Sequence, residues 1–171
     1  CTFFSVQKGF GIPAGLGVVV ANEKIIEKSK SLAEKNHAIG SYHSFISLLN
    51  SAQKSQTPET PNVLGIFLLG RIADELNNRG IDNIRKETEK KAELIYNFFD
   101  RHNSYKPSIK SNNIKSKTVI TINVDNSQEL IKKLSGHNFV VGSGYKDYKD
   151  KQIRIANFPM HRIEDIKRML E

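Results

Sequence analysis

Ser5-Val6-Gln7-Lys8-Gly9-Phe10-Gly11-Ile12-Pro13-Ala14-Gly15-Leu16-Gly17 is the stretch on which the reading of this chain turns. The residues leading into it, Cys1–Gln7, are rich in Thr, Phe and Val and predict a short strand. Lys8–Gly17 holds four glycines and a proline and predicts a loop. Leu16–Ala21, with three consecutive valines, predicts a second, buried strand. A lysine therefore stands where a strand opens into a loop of small residues. That position suits a lysine whose amine must meet a bulky planar aldehyde. Such a lysine needs surroundings that disfavour its ammonium form, so that the amine becomes nucleophilic. Glycines let the backbone approach a bound group closely. Taken alone, the same lysine also reads as a solvated turn residue. It is not part of a Walker-type phosphate loop, because the Gly-x4-Gly-Lys-Ser/Thr spacing is absent.

Outward from this loop, Glu23–Asn36 has helical periodicity at Ile25, Ile26, Leu32 and Ala33. Gly40–Ser51 is apolar at Tyr42, Phe45, Ile46, Leu48 and Leu49 and predicts a partly buried helix. Gln56–Pro61 carries two prolines and predicts a rigid loop. Pro61 or Asn62 starts a long apolar helix to about Asn78, stopped by Gly80. Asp82–His102 predicts a second long helix with Ile84, Ala92, Ile95 and Phe99 inward. Ser116–Val124 alternates as a strand, with Ile120, Ile122 and Val124 on one face. Ser127–His137 predicts an amphipathic helix with Ser127 as its N-cap. Phe139–Gly142 and Gln152–Phe158 predict strands, and His161–Leu170 a last helix. The second half thus reads as a compact α+β domain. The first sixty residues hold only two strands, too few for an independent sheet. With Cys1 opening inside a strand, this leads us to expect a fragment lacking an N-terminal part.

Composition narrows the function. The 171 residues carry 26 Lys and Arg against 18 Asp and Glu. Much of the lysine alternates with Glu along the helical stretches Ile25–Asn36 and Asn83–Arg101, the pattern of solvated helix faces. No aromatic–basic interleaving of the single-strand-binding kind is present, so no nucleic-acid partner is expected. No apolar run is long enough to span a bilayer, and no membrane partner is expected. One cysteine, Cys1, excludes an internal disulfide and suits a reducing, cytoplasmic setting. No His, Cys, Asp or Glu cluster has zinc-ligand spacing, so no metal is expected.

Gln7-Lys8, the Pro13-Ala14-Gly15-Leu16-Gly17 run and the Val18-Val19-Val20 strand resemble the lysine segment of class V aminotransferases, the phosphoserine aminotransferases in particular. Thr57-Pro58-Glu59-Thr60-Pro61-Asn62, leading into Ile66-Phe67-Leu68-Leu69-Gly70, is similar to the family's loop before its linker helix. Ile153-Arg154-Ile155-Ala156-Asn157-Phe158 is similar to its arginine-bearing strand. The resemblance covers essentially the whole chain. It implies an α/β fold, the C-terminal part of a fold-type I pyridoxal-phosphate (PLP) transferase. Residues 1–60 would be the tail of the large cofactor domain, 61–78 the linker helix, and 79–171 the small C-terminal domain.

The resemblance also implies roles. Lys8 would hold pyridoxal 5′-phosphate covalently and move the proton at the substrate's Cα. Thr60 would reach the cofactor phosphate of the neighbouring subunit in a homodimer. By its residues alone, Thr60 before Pro61 reads equally as a helix cap. Arg154 would clamp the substrate α-carboxylate with its planar fork. Alternation places Arg154 on one face with Gln152, Ala156 and Phe158. His43 and Lys146 are weaker candidates for substrate contact. In two places the chain departs from the phosphoserine enzymes. Gly144-Tyr145-Lys146 stands where they carry Gly-His-Arg, and Glu59 where they carry Asn. The implied activity is transamination between an amino acid and a 2-oxo acid, with glutamate as donor in serine biosynthesis. The family's partner for the pyridine nitrogen and its ring-stacking aromatic lie upstream of the lysine, so these 171 residues alone are expected to be inactive. Two rivals stand beside this reading. One is another class V enzyme, of the serine– or alanine–glyoxylate type. The other is a basic α+β binding module without chemistry. The enzyme reading expects a buried Lys8, and the binding module an exposed one.

Overall fold

The computed structural model describes residues 1–37, 40 and 43–171, which form two compact units, Cys1–Ile72 and Ala73–Glu171. In the first, β1 (Thr2–Ser5) pairs antiparallel with β2 (Gly17–Val20), Thr2 opposite Val20 and Ser5 opposite Gly17. Valines and phenylalanines favour this pairing by their branched or flat side chains. The expectation of a buried second strand is corrected: Val19 and Val20 are 48% and 59% exposed. A two-stranded ribbon has no neighbouring strands to enclose its faces. Burial in this unit falls instead on Val6 and Ile12, which flank the Lys8 turn.

Helix α1 (Glu23–Glu34) starts at Asn22, whose side chain accepts from the Ile25 N–H at 3.1 Å. Helix α2 (Phe45–Ala52) is capped in the same way by Ser44 and packs against α1. It begins later than the sequence pattern suggested; Tyr42, assigned to it by that pattern, lies outside the described residues. Helix α3 (Val63–Arg79) starts on Asn62, whose Oδ1 accepts from the Gly65 N–H at 2.9 Å. Gly65 makes room for this cap, since a Cβ there would come within 2.8 Å of the Asn62 amide and push it aside.

In the second unit, Gly80 has φ +80° and separates α3 from α4 (Ile81–Arg101). The sheet is antiparallel throughout, in the order β3 (Lys106–Pro107), β4 (Val119–Asn123), β6 (Gln152–Ala156), β5 (Gly142–Ser143). Helix α5 (Ser127–Gly136) bridges β4 and β5, and α6 (Ile163–Leu170) follows β6. Ile120 and Ile122 of β4 and Ile153 and Ile155 of β6 point into one core with Ala92, Ile95, Phe99 and Ile166. Each such isoleucine contributes roughly 1.5–3 kcal/mol by leaving water. The sheet's other face carries Thr121, Gln152 and Arg154, as strict alternation requires.

Three differences from the sequence pattern have local causes. Asn126, not Ser127, caps α5, because the Ser127 hydroxyl is buried and donates to the Lys149 carbonyl. β5 is only Gly142–Ser143, later than the expected Phe139–Gly142, because Phe139 still belongs to the turn that ends α5 and donates its N–H to the Leu134 carbonyl. β3 was unforeseen: two residues around a proline carry no alternation to detect.

The inner side of α4 also holds a lysine. Lys91 is fully buried, and its Nζ donates to the carbonyls of Phe158 at 3.0 Å and His161 at 2.6 Å. Burial lowers its pKa, with Glu87 at 3.9 Å opposing that shift. Beside it, the buried Asn157 amide donates to the carbonyls of Thr88 and Lys117. These contacts tie the chain leaving β6 to α4.

Candidate active site

Val6 is fully buried and brings the chain to a turn in which Gly11 N–H donates to the Lys8 carbonyl at 3.0 Å. Gly11 has φ +66°, a conformation glycine adopts without strain. Phe4 before the turn and Phe10 within it stack at 5.3 Å between centroids. Their contact pins both ends of the Lys8 segment. Nothing lies within 4 Å of where a Cβ on Gly9 would sit, so space is open beside the lysine.

Lys8 itself is exposed. The expectation of a buried lysine is corrected for this chain: the turn projects from a two-stranded ribbon, and no described element covers it. Among the described residues it has no ion-pair partner. Exposure is what the binding-module reading expected of Lys8; the open space beside Gly9 leaves room there for a bulky group.

The loop Gly11–Gly17 meets the Thr60 loop within the same unit. The Asn62 amide stands 3.5 Å from where a Cβ on Gly15 would sit, and Gly15 has φ +122°. Since Asn62 caps α3, the capping reading of Thr60 falls away. Thr60 is exposed and, among the described residues, its hydroxyl has no hydrogen-bond partner. Thr57 donates to the Glu59 carbonyl and shapes the turn before it. His43 is exposed in the turn just before α2 and makes no hydrogen bond to any of these residues.

Arg154 belongs to the second unit. It lies on the outer face of β6, opposite Thr121 on one side and Gly142 on the other. Its Nε donates to the Ser143 carbonyl at 2.6 Å. Its guanidinium carbon sits 3.9 Å from the centroid of the Tyr145 ring. Among the described residues no carboxylate pairs with it. On the same face Gln152 is held by Asn123 and Ser108. Lys146 follows Tyr145 with φ +50°, exposed and apart from these contacts. A separate cavity of about 610 Å3 opens among Phe98, Leu130, Phe139 and Arg168, over Ile153 and Ile155. It therefore lies on the sheet face opposite Arg154.

Sequence reasoning missed Tyr145 as the residue packed on Arg154, and Asn62 as the cap of α3. The second had a signal, Asn directly before Val63 and Leu64, the first apolar residues of the helix. The first had none, because the stack depends on a turn between two strands.

The fold defines the class. The structure of a phosphoserine aminotransferase from Cytophaga hutchinsonii superposes with a TM-score of 0.93 and 43% identity, covering 98% of this chain and 47% of that one. That of an alanine–glyoxylate aminotransferase from Nostoc sp. gives 0.80 at 18% identity, over 99% of this chain and 46% of that one, a likeness of fold alone. This is the PLP-dependent aminotransferase fold. Within it, the family model for class V aminotransferases matches residues 1–148, and the chain belongs to that family. A phosphoserine aminotransferase of Rhodococcus opacus is 23% identical over 98% of this chain. The chain spans about half the length of the curated relatives it matches, 46% in that case. A basic binding module accounts for an exposed Lys8, but not for family membership.

Proposed function

We propose that the whole protein is a PLP-dependent aminotransferase that exchanges an amino group between phosphoserine and 2-oxoglutarate in serine biosynthesis. The observation that carries this reading is the 43% identity, at a TM-score of 0.93, with the structure of a phosphoserine aminotransferase. In this reading residues 1–60 close a large cofactor domain, 61–78 form the linker helix, and 79–171 are the small domain. The working protein is a cytoplasmic homodimer. Exposed Val63, Leu64 and Phe67 on α3, each more than 60% accessible, support a face covered in that assembly.

Lys8 is the residue that holds the cofactor. When bound, pyridoxal phosphate supplies an electron sink for the bond electrons released at the substrate's Cα. The Lys8 amine would accept the proton leaving the substrate's Cα as base and give it back as acid later in the exchange. Thr60 offers a hydroxyl to the cofactor phosphate. Arg154 binds the α-carboxylate bidentately. Lys146 and His43 stand as secondary contacts for the remainder of the substrate.

The test is a borohydride trap of the full-length protein with pyridoxal phosphate, followed by peptide mapping. A pyridoxyl adduct on Lys8 is the expected result. No adduct on Lys8 in a folded protein removes the catalytic assignment. Comparing phosphoserine, alanine and serine as amino donors then decides the substrate. Preference for alanine or serine with glyoxylate replaces phosphoserine by the other class V activity.

A further inference from the structure

We propose that Tyr145 is a positioning residue for the Arg154 carboxylate fork, and that the Gly142-Ser143-Gly144-Tyr145 segment exists in this form to mount its ring there. The inference rests on the reading of Arg154 as the carboxylate clamp.

The construction is legible atom by atom. Arg154 stands directly across from Gly142 in the β5–β6 pairing. A Cβ on Gly142 would come within 2.9 Å of the Arg154 Nη2, so the guanidinium in this pose occupies the space that a side chain at Gly142 would take. Ser143 then takes the Nε hydrogen with its carbonyl. Gly144 is buried, and a Cβ there would stand 2.2 Å from the Tyr148 carbonyl oxygen. Only glycine lets the chain fold back at once into the short turn Lys146–Tyr148, in which Tyr148 N–H donates to the Tyr145 carbonyl at 3.0 Å. That turn leaves the Tyr145 ring over the guanidinium at 3.9 Å.

Three of the guanidinium's surroundings are thereby fixed: Gly142 against its Nη2 end, the Ser143 carbonyl on its Nε edge, and the Tyr145 ring on a face. The Nη hydrogens are left to meet a carboxylate. An arginine on a strand otherwise samples many rotamers, and ordering it on binding costs affinity. Tyr145 removes that cost beforehand, and its ring quadrupole favours the cation without neutralising it. The tyrosine is 69% exposed, so it contributes little to the core. Its hydroxyl has no hydrogen-bond partner among the described residues, so the ring and not the hydroxyl carries the role.

The experiment uses the full-length holoenzyme and three variants, Y145A, Y145F and R154A. Kinetics are measured with whichever of L-glutamate, L-alanine, L-serine and O-phospho-L-serine turns over best. Y145A is expected to raise KM about 3- to 30-fold, the range of a partly exposed cation–π contact. Its kcat is expected to stay within about 2-fold, and Y145F within about 2-fold on both parameters. The Arg154 Nε–H resonance should shift in Y145A and keep its place in Y145F. Wild-type KM in Y145A beside a damaged R154A overturns the role of Tyr145 and leaves the Arg154 reading intact. Wild-type kinetics in R154A removes the clamp reading, and this inference with it. A fall in kcat alongside the rise in KM in Y145A, with a lowered melting temperature, assigns the ring to folding and also overturns the proposal.

Discussion

At the scale of single residues, one buried and one half-buried polar side chain set sharp expectations. The Asn157 amide serves two carbonyls, those of Thr88 and Lys117. Asn157→Ala removes both hydrogen bonds, at about 0.5–1.5 kcal/mol each, and with them a buried Oδ1 that has no partner among the described residues. Urea denaturation should show the second unit less stable by about 1–3 kcal/mol in sum; a loss under about 0.5 kcal/mol would show that water replaces the amide. His161 is the second case. Its Nδ1 accepts the Phe158 N–H at 3.2 Å, which requires a neutral ring. Burial lowers its pKa; a backbone hydrogen bond opposes that, and the Lys91 charge adds to it. The unfolded chain then takes up a proton before the folded one does. The stabilisation is complete above the unfolded value of about 6.5 and is lost as pH falls through the lower folded value. Melting temperature should therefore drop between neutral and mildly acid pH, and the drop should be smaller in His161→Gln. Equal slopes in the two proteins would exclude His161 as the source. Neither role was legible in the sequence. Asn157 and His161 look like ordinary loop residues until the carbonyls around them are located. Arg154 was legible, because alternation with Ile153 and Ile155 is enough to fix its face.

At the scale of elements, periodicity carried most of the second unit and little of the first. The inward set Ile84, Ala92, Ile95 and Phe99 on α4 follows from helical spacing alone, and all four are buried. The alternation in Ser116–Val124 gave the face of β4 correctly. The short strands slipped. β5 owes its position to how α5 ends, and no pattern in two residues records that. The turn after β5 should be the least tolerant of change. Gly144→Ala forces a Cβ against a backbone carbonyl that cannot swing aside, at a cost of about 1–3 kcal/mol. Chemical denaturation of that variant, beside a Gly136→Ala control where nothing lies within 4 Å, separates steric cost from the generic effect of alanine. A Gly144→Ala protein as stable as the control would mean that the turn relaxes freely. Helix α3 is a milder case. Asn62→Ala removes its cap and should cost about 1 kcal/mol, read in the same assay.

For the molecule as a whole, the family was legible from three short motifs in the right order, while the exposure of Lys8 was not. Strand propensity says that Val18–Val20 pairs; it does not say how many strands lie beside it. The 171 residues span about half of the relatives they match. Assayed alone with pyridoxal phosphate, they are expected to show no transamination with any of the four amino donors. Measurable turnover by this chain would end that expectation. No described helix is long and apolar enough to cross a membrane, and none of these assays calls for lipid. The second unit also carries its own clock. Lys91 is closed off completely among the described residues, while lysines such as Lys90 and Lys117 are exposed. An amine-acylating reagent will exhaust those exposed amines quickly and reach Lys91 only when α4 parts from the chain beyond β6. The slow appearance of label on that one peptide then times the parting of α4 from the chain beyond β6, with no mutation.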